Sequence, residues 1–326
     1  LNCGDVRFAP KSTPSLPDRQ ELEMAAVFRN PFVSFAVACW ALASAFPAHA
    51  GQLEDAQAAI GAGDYVTALQ LLGTLADQDN AYAERILGIM YIKGQGVPKD
   101  YATGMRWMRL AADKGLADAQ NEVGILFQQG WGVARNDAEA VKWFRLAADQ
   151  GSVIAQNNLA DIFAQGRGVP QDLREAFKWY RIAADQSSPY AENVIGVAYE
   201  QGFYVAQDYA EAFRWYRRAA NQIYDRPGNT WIHSPQYNIG AMYASGRGTG
   251  QDNVRALMWF TLAVAFGDTK PPDPFGIKLV NTPASTAPEQ RDRLLTLMTS
   301  AQIAEAEKMV REWSPHPVVT IESTAK

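Results

Sequence analysis

Few residues in this chain of 326 are of a type that does chemistry, and their spacing argues against it. Beyond residue 50 the only histidines are His233 and His316, too few for a multi-histidine metal site. The cysteines, Cys3 and Cys39, both fall before that point. No H-E-x-x-H, G-x-S-x-G or G-x-x-x-x-G-K-S/T string occurs. The acid pairs Asp172/Glu175 and Asp208/Glu211 have a spacing that could bring two carboxylates together for acid–base work. They recur at one phase, which in a third place holds Asn136/Glu139, so a helix N-cap and capping box explain them better. The pairs Gly94-x-Gly96, Gly130-x-Gly132, Gly166-x-Gly168 and Gly246-x-Gly248 follow helical patterns in register, which makes them turns and not phosphate cradles. A net charge of −5 argues against nucleic acid, whose binding rests on cationic neutralisation of phosphates. The chain reads as a non-enzyme with no cofactor and no metal.

The elements explain the spacings. Trp107, Trp143, Trp179 and Trp215 recur every 36 residues, and Trp259 follows after 44. Paired alanines trail the first four, from Ala111-Ala112 to Ala219-Ala220. Self-similarity at this period is the mark of stacked supersecondary units. In one period, residues 117–151, Ala119, Val123, Gly124 and Phe127 fall at helical spacing and form the buried stripe of a first helix. Gly130 stops it, because glycine enters the left-handed region without strain. Val133 in the return loop can plug the gap between helices. Asn136 opens a second helix whose buried face is Ala140, Trp143, Phe144, Ala147 and Ala148. Neither helix covers its own apolar surface, so the unit requires neighbours.

The pattern A-x-x-x-(L/V/I)-G-x-x-(Y/F)-x-x-G-x-G-V-x-x-(D/N)-x-x-x-A-x-x-W-(Y/F)-R-x-A-A resembles the Sel-one-like repeat, a relative of the tetratricopeptide repeat. Five copies are read over 81–268, with breaks near 116, 152, 188 and 232. Ala160, Tyr204 and Thr249 depart from the pattern. The resemblance implies an all-α fold, an α/α superhelical solenoid of helix hairpins. Residues 51–80 resemble a tetratricopeptide hairpin that would cap the array N-terminally, with Gly63-Asp64-Tyr65 at its turn. Within 269–326, a proline-rich loop precedes two capping helices over 288–298 and 300–313, the second opened by a Thr299/Gln302 capping box, and then a tail.

Residues 24–50 have the order of a secretory signal peptide: Arg29, an apolar run from Phe32 to Phe46, then Ala48-His49-Ala50. Cleavage after Ala50 would leave a periplasmic or secreted chain with no cysteine and no integral membrane span, and residues 1–23 would be a non-native upstream extension. An uncleaved anchor is the competing reading, and a lipoprotein at Cys39 fits less well because Ala36-Val37-Ala38 is a poor lipobox.

Function is expected at two places. By resemblance, the first helices line a concave face, on which Arg85, Ile89 and Ile92, then Asn121, Ile125 and Gln128, then Asn157, Asp161 and Ala164, then Asn193, Val197 and Glu200 take the exposed positions. In related tetratricopeptide grooves an asparagine at this phase grips the backbone of an extended peptide. Polar residues that merely solvate an open face are the alternative. The second place is the expansion between Ala220 and Pro235, with the interface-prone Tyr224, Arg226, Trp231 and His233. The stretch 269–286, with Phe275, Ile277, Leu279 and Val280, reads as packing. The resemblance implies a protein-binding scaffold or regulatory adaptor whose partner is a protein or peptide of the periplasm or envelope. A cell-wall or peptidoglycan-associated factor, with or without hydrolase activity, is the alternative.

Overall fold

The computed structural model describes residues 51–222, 235–266 and 286–313. The leader region, Tyr224, Arg226, Trp231 and His233 of the expansion, most of the proline-rich stretch and the tail lie outside those residues. The described residues form fourteen helices and no strand. They fall into two compact units, which divide between Leu75 and Ala76.

In the first unit, α1 (51–61) and most of α2 (Tyr65–Asp77) flank a turn at Gly63, whose φ is +79°. The Asp64 carboxylate accepts from the Thr67 N–H at 3.1 Å and starts α2. Ala56, Ala68, Leu72 and Leu75 are fully buried.

The second unit is an array of helix pairs: α3 (Ala81–Lys93) with α4 (Tyr101–Asp113), α5 (Ala117–Gln129) with α6 (Asp137–Asp149), α7 (Val153–Gln165) with α8 (Leu173–Asp185), α9 (Pro189–Gln201) with α10 (Tyr209–Gln222), and α11 (Pro235–Ser245) with α12 (Asn253–Ala265). Each first helix packs on its own second helix, and each second helix on the next first helix. The terminal helices α13 (Ala287–Leu297) and α14 (Ser300–Glu312) both pack on α12. This is the all-α superhelical repeat fold read from the sequence. Trp143, Trp179, Trp215 and Trp259 are 3–9% exposed, as expected of core residues. One arginine from the preceding repeat lies over each ring: Arg109 over Trp143 at 4.9 Å, Arg145 over Trp179 at 5.9 Å, Arg181 over Trp215 at 4.9 Å and Arg217 over Trp259 at 5.8 Å.

The helix ends carry one correction. Gly130 caps α5 in the left-handed region, and the Asn136 side chain accepts from the Glu139 N–H, as expected. The reciprocal half of the box is absent. The Asn136 N–H donates to the Phe127 carbonyl of the first helix at 2.9 Å, so Glu139 turns to Lys142 instead. The same holds at 172/175 and 208/211, where the backbone N–H groups of Asp172 and Asp208 donate to Phe163 and Tyr199, and the glutamates pair with Lys178 and Arg214. Complete boxes open the terminal helices, at Thr286/Glu289 and at Thr299/Gln302.

Candidate protein-binding face

The asparagines read as a peptide clamp stand at the fifth position of their first helices. In the stack, that position meets the sixth position of the next repeat's first helix. Arg85 Nη2 donates to Glu122 Oε1 at 2.6 Å, and Asn158 Nδ2 donates to Asn121 Oδ1 at 2.8 Å. Asn238, at the same phase of α11 although fourth in that shorter helix, donates through Nδ2 to Asn193 Oδ1 at 3.1 Å. At the remaining joint the sixth position is Val194, which offers no polar partner. There Asn157 Nδ2 donates to Ser188 Oγ at 2.9 Å and its Oδ1 has no hydrogen bond.

This corrects the expectation that Asn121 and Asn193 are exposed: they are 6% and 0% exposed. Val197 and Ala164, placed on the open face by the sequence, are buried as well. A helix in a stack is flanked on both sides by its counterparts, so the strip left to solvent is narrower than that of an isolated hairpin. Arg85, Gln128, Asn157, Asp161 and Glu200 remain half-exposed on that strip.

Three carboxylates punctuate it. Glu122 belongs to α5, Asp161 to α7 and Glu200 to α9. Burial pushes all three above the ordinary carboxylate range, opposed by Arg85 at Glu122, by the Tyr180 and Tyr190 hydroxyls at Asp161, and by the Tyr216 hydroxyl at Glu200. Tyr180 donates to Asp161 Oδ1 at 2.5 Å and Tyr190 to the same oxygen at 2.7 Å. Tyr216 donates to Glu200 Oε2 at 2.7 Å, and Arg247 stands 3.9 Å from the other oxygen. The two tyrosines at 180 and 216 occupy the phase of Phe144, so the added hydroxyl serves the acid on the facing helix.

A second polar register, inside the repeats, escaped the sequence reading. The fourth position of the first four first helices, and the same phase of the shorter α11, is buried: Glu84, Gln120, Gln156, Glu192 and Gln236 are at most 5% exposed. Four of these accept from the residue 30 positions on, at the end of the same repeat's second helix. Lys114 donates to Glu84 at 2.7 Å, Gln150 to Gln120 at 2.7 Å, Gln186 to Gln156 at 2.9 Å and Gln222 to Glu192 at 2.6 Å. Gln120 and Gln156 also donate backwards, to the carbonyls of Ala112 and Ala148 in the preceding repeat. Glu192 cannot donate. Arg218 does so instead: its Nη2 donates to the Ala184 carbonyl at 2.8 Å while its Nε lies 2.5 Å from Glu192. Burial still raises the Glu192 carboxyl to about 7, against the pull of Arg218. The signal was present as a Glu or Gln recurring after the first-helix alanine, at constant distance from Lys114, Gln150, Gln186 and Gln222.

Among the described residues no group of three or more His, Cys, Asp or Glu could hold a metal ion. Among them, too, no helix is long and apolar enough to cross a membrane.

A Sel1 repeat family model matches residues 81–116, 117–152, 153–188, 189–224 and 236–267. No match is found among curated proteins. Among solved structures, the chain is similar to a protective antigen of uropathogenic Escherichia coli strains displaying an SLR fold, with 29% identity and a TM-score of 0.64. That alignment covers 81% of this chain and 53% of the antigen, so the chain spans about half the antigen's length. It is also similar to a Sel1 repeat protein from Oxalobacter formigenes, with 29% identity and a TM-score of 0.61, covering 75% of this chain and 98% of that one.

Proposed function

The chain belongs to the Sel1 repeat family, whose members generally mediate protein–protein interaction, and we propose that it is an exported scaffold or regulatory adaptor acting on an envelope protein. Its first-helix strip, from Arg85 to Glu200, takes an extended segment of that partner. The observation that carries this reading is the half-open polar row of Gln128, Asn157, Asp161 and Glu200, spread over three consecutive repeats. In such a row Gln128 can donate to and accept from an extended backbone, and the Asp161 and Glu200 carboxylates can accept from it. Asn121 and Asn193 act from beneath by holding adjacent repeats in register. Export rests on the leader-like order of residues 24–50.

A photo-crosslinking residue placed at Gln128 or Asp161, in cells whose envelope is then fractionated, tests both parts. The expected result is one envelope protein crosslinked from both positions, and not from Lys142 on the second-helix side. Recovery of the chain in the cytoplasmic fraction sinks the export reading. Crosslinks to peptidoglycan, or equal crosslinking from Lys142, sink the peptide-strip reading.

A further inference from the structure

The second helices of the first three repeats present the same outward order of side chains, from N- to C-terminus. A basic residue comes first (Arg106, Lys142, Lys178), then an arginine (Arg109, Arg145, Arg181), then a large apolar residue, then an aspartate (Asp113, Asp149, Asp185). The apolar members are Leu110, Leu146 and Ile182, which are 46%, 49% and 43% exposed. They form a row across three repeats, with base on one side and acid on the other. Scattered exposed leucines are ordinary, but an in-register row is not.

The chain itself shows what such a row receives. In the fifth repeat the equivalent residue is Leu262, and it is only 5% exposed. Trp259, Leu262 and Phe266 share one helical stripe. Trp313, just past the end of α14, packs edge-on against the first and last of these, with ring centroids at 5.8 and 6.2 Å. Ile303, Met309 and Val310 of α14 also pack on the core. The stripe is thus covered by the residue that ends α14, an amphipathic helix packed on α12. In the fourth repeat the row is interrupted, because Arg218 replaces the apolar residue and turns inward to Glu192.

We propose that Leu110, Leu146 and Ile182 form a docking row for an amphipathic helix of a partner protein, acidic along the flank that meets the arginines and basic along the flank that meets the aspartates. The arginines are held for this by the tryptophans beneath them, and their own pairs are weak exposed ones, Arg109–Asp113 at 3.5 Å and Arg181–Asp185 at 3.3 Å. Successive second helices meet through the Arg109–Trp143 and Arg145–Trp179 contacts, a spacing on the order of 10 Å. At ~1.5 Å rise per residue, a partner helix advances one repeat in roughly seven residues, so one apolar residue per heptad matches the row. This surface is separate from the first-helix strip and holds whether or not that strip binds a peptide.

The probe is a fluorescent synthetic helix of roughly three heptads, with leucine at every seventh position, glutamate along one flank and lysine along the other. Its binding to the full chain is followed by anisotropy. We expect saturable binding, weakened about tenfold or more by joint replacement of Leu110, Leu146 and Ile182 with serine. A peptide with its flanks exchanged should bind several-fold more weakly. Should the serine variant lose helicity, Arg145→Glu supplies the second test, by abolishing the preference between the two peptides. No binding, equal binding to the serine variant or indifference to flank order overturns the proposal. So does a dimer in sedimentation that the serine variant abolishes, since the occupant would then be a second copy.

Discussion

The second and fourth repeats meet the same buried requirement with different residues. In the second, Gln120 accepts from Gln150 and donates to the Ala112 carbonyl of the repeat before. In the fourth, Glu192 accepts from Gln222, and the backward donation passes to Arg218. A neutral amide serves both neighbours by itself, whereas a carboxylate serves one and must import a cation for the other. The cost is a buried charge that depends on a half-exposed arginine. The repeats differ again in the loop: Gly132 of the second lies against the Tyr101 backbone, where a Cβ would collide with its carbonyl, while the fourth places Tyr204 at the same phase with φ +61° and half its surface free.

The largest effect is expected at the charge. Arg218→Ala should destabilise the chain by about 4 kcal/mol at pH 8, in denaturant unfolding, because it strands a buried carboxylate and orphans the Ala184 carbonyl. The loss should shrink at pH 5, where Glu192 takes up a proton. If Arg218→Ala costs no more than an ordinary surface change, the two repeats are not solving one problem. Gly132→Ala should cost about 3 kcal/mol, through the backbone collision and the left-handed φ together, whereas Tyr204→Gly should leave the melting temperature nearly unchanged. Similar costs at the two positions would remove the loop contrast.

The third test uses pH. The folded-state carboxyl of Glu192 is raised from 4.5 to about 7. The stability it contributes is therefore full below pH 4.5 and is lost as pH rises through 7. Glu192→Gln, which copies the second repeat, should remove that loss and gain on the natural chain by about 2 kcal/mol between pH 5 and pH 8. Parallel stability curves for the two proteins would refute the assignment. The smallest contrast lies at the seams. Asn121→Ala breaks a paired seam and should cost about 1 kcal/mol, while Asn157→Ala, opposite Val194, should cost about half of that or less. Equal costs would mean that the Asn121–Asn158 hydrogen bond contributes nothing.

How far the sequence could be read depends on where a residue's partner lies. The tryptophan phase, the Gly130 stop and the N-caps at Asn136, Asp172 and Asp208 were legible, because each rests on a partner within a few residues or on a period. The capping boxes at the same places were misread. Local spacing cannot show that the Phe127 carbonyl, in the other helix of the hairpin, takes the N–H that the box would use. The phase of the asparagines was legible and their burial was not, since Asn121 meets Asn158 only once repeats are stacked, 37 residues apart.

The sequence by itself determined the repeat, its length and its helix ends, since periodic apolar burial and local capping act over one or two turns. It also determined the absence of the usual catalytic and nucleotide-binding strings. Only the tertiary structure decided which polar residues bind neighbours and which face water. Stacking covers both flanks of the inner first helices, and it turned Asn121 and Asn193, read as clamps, into seams between repeats. It also left Leu110, Leu146 and Ile182 in a row in the open, because among the described residues no helix packs on the second helices of those three repeats as the terminal pair does on α12.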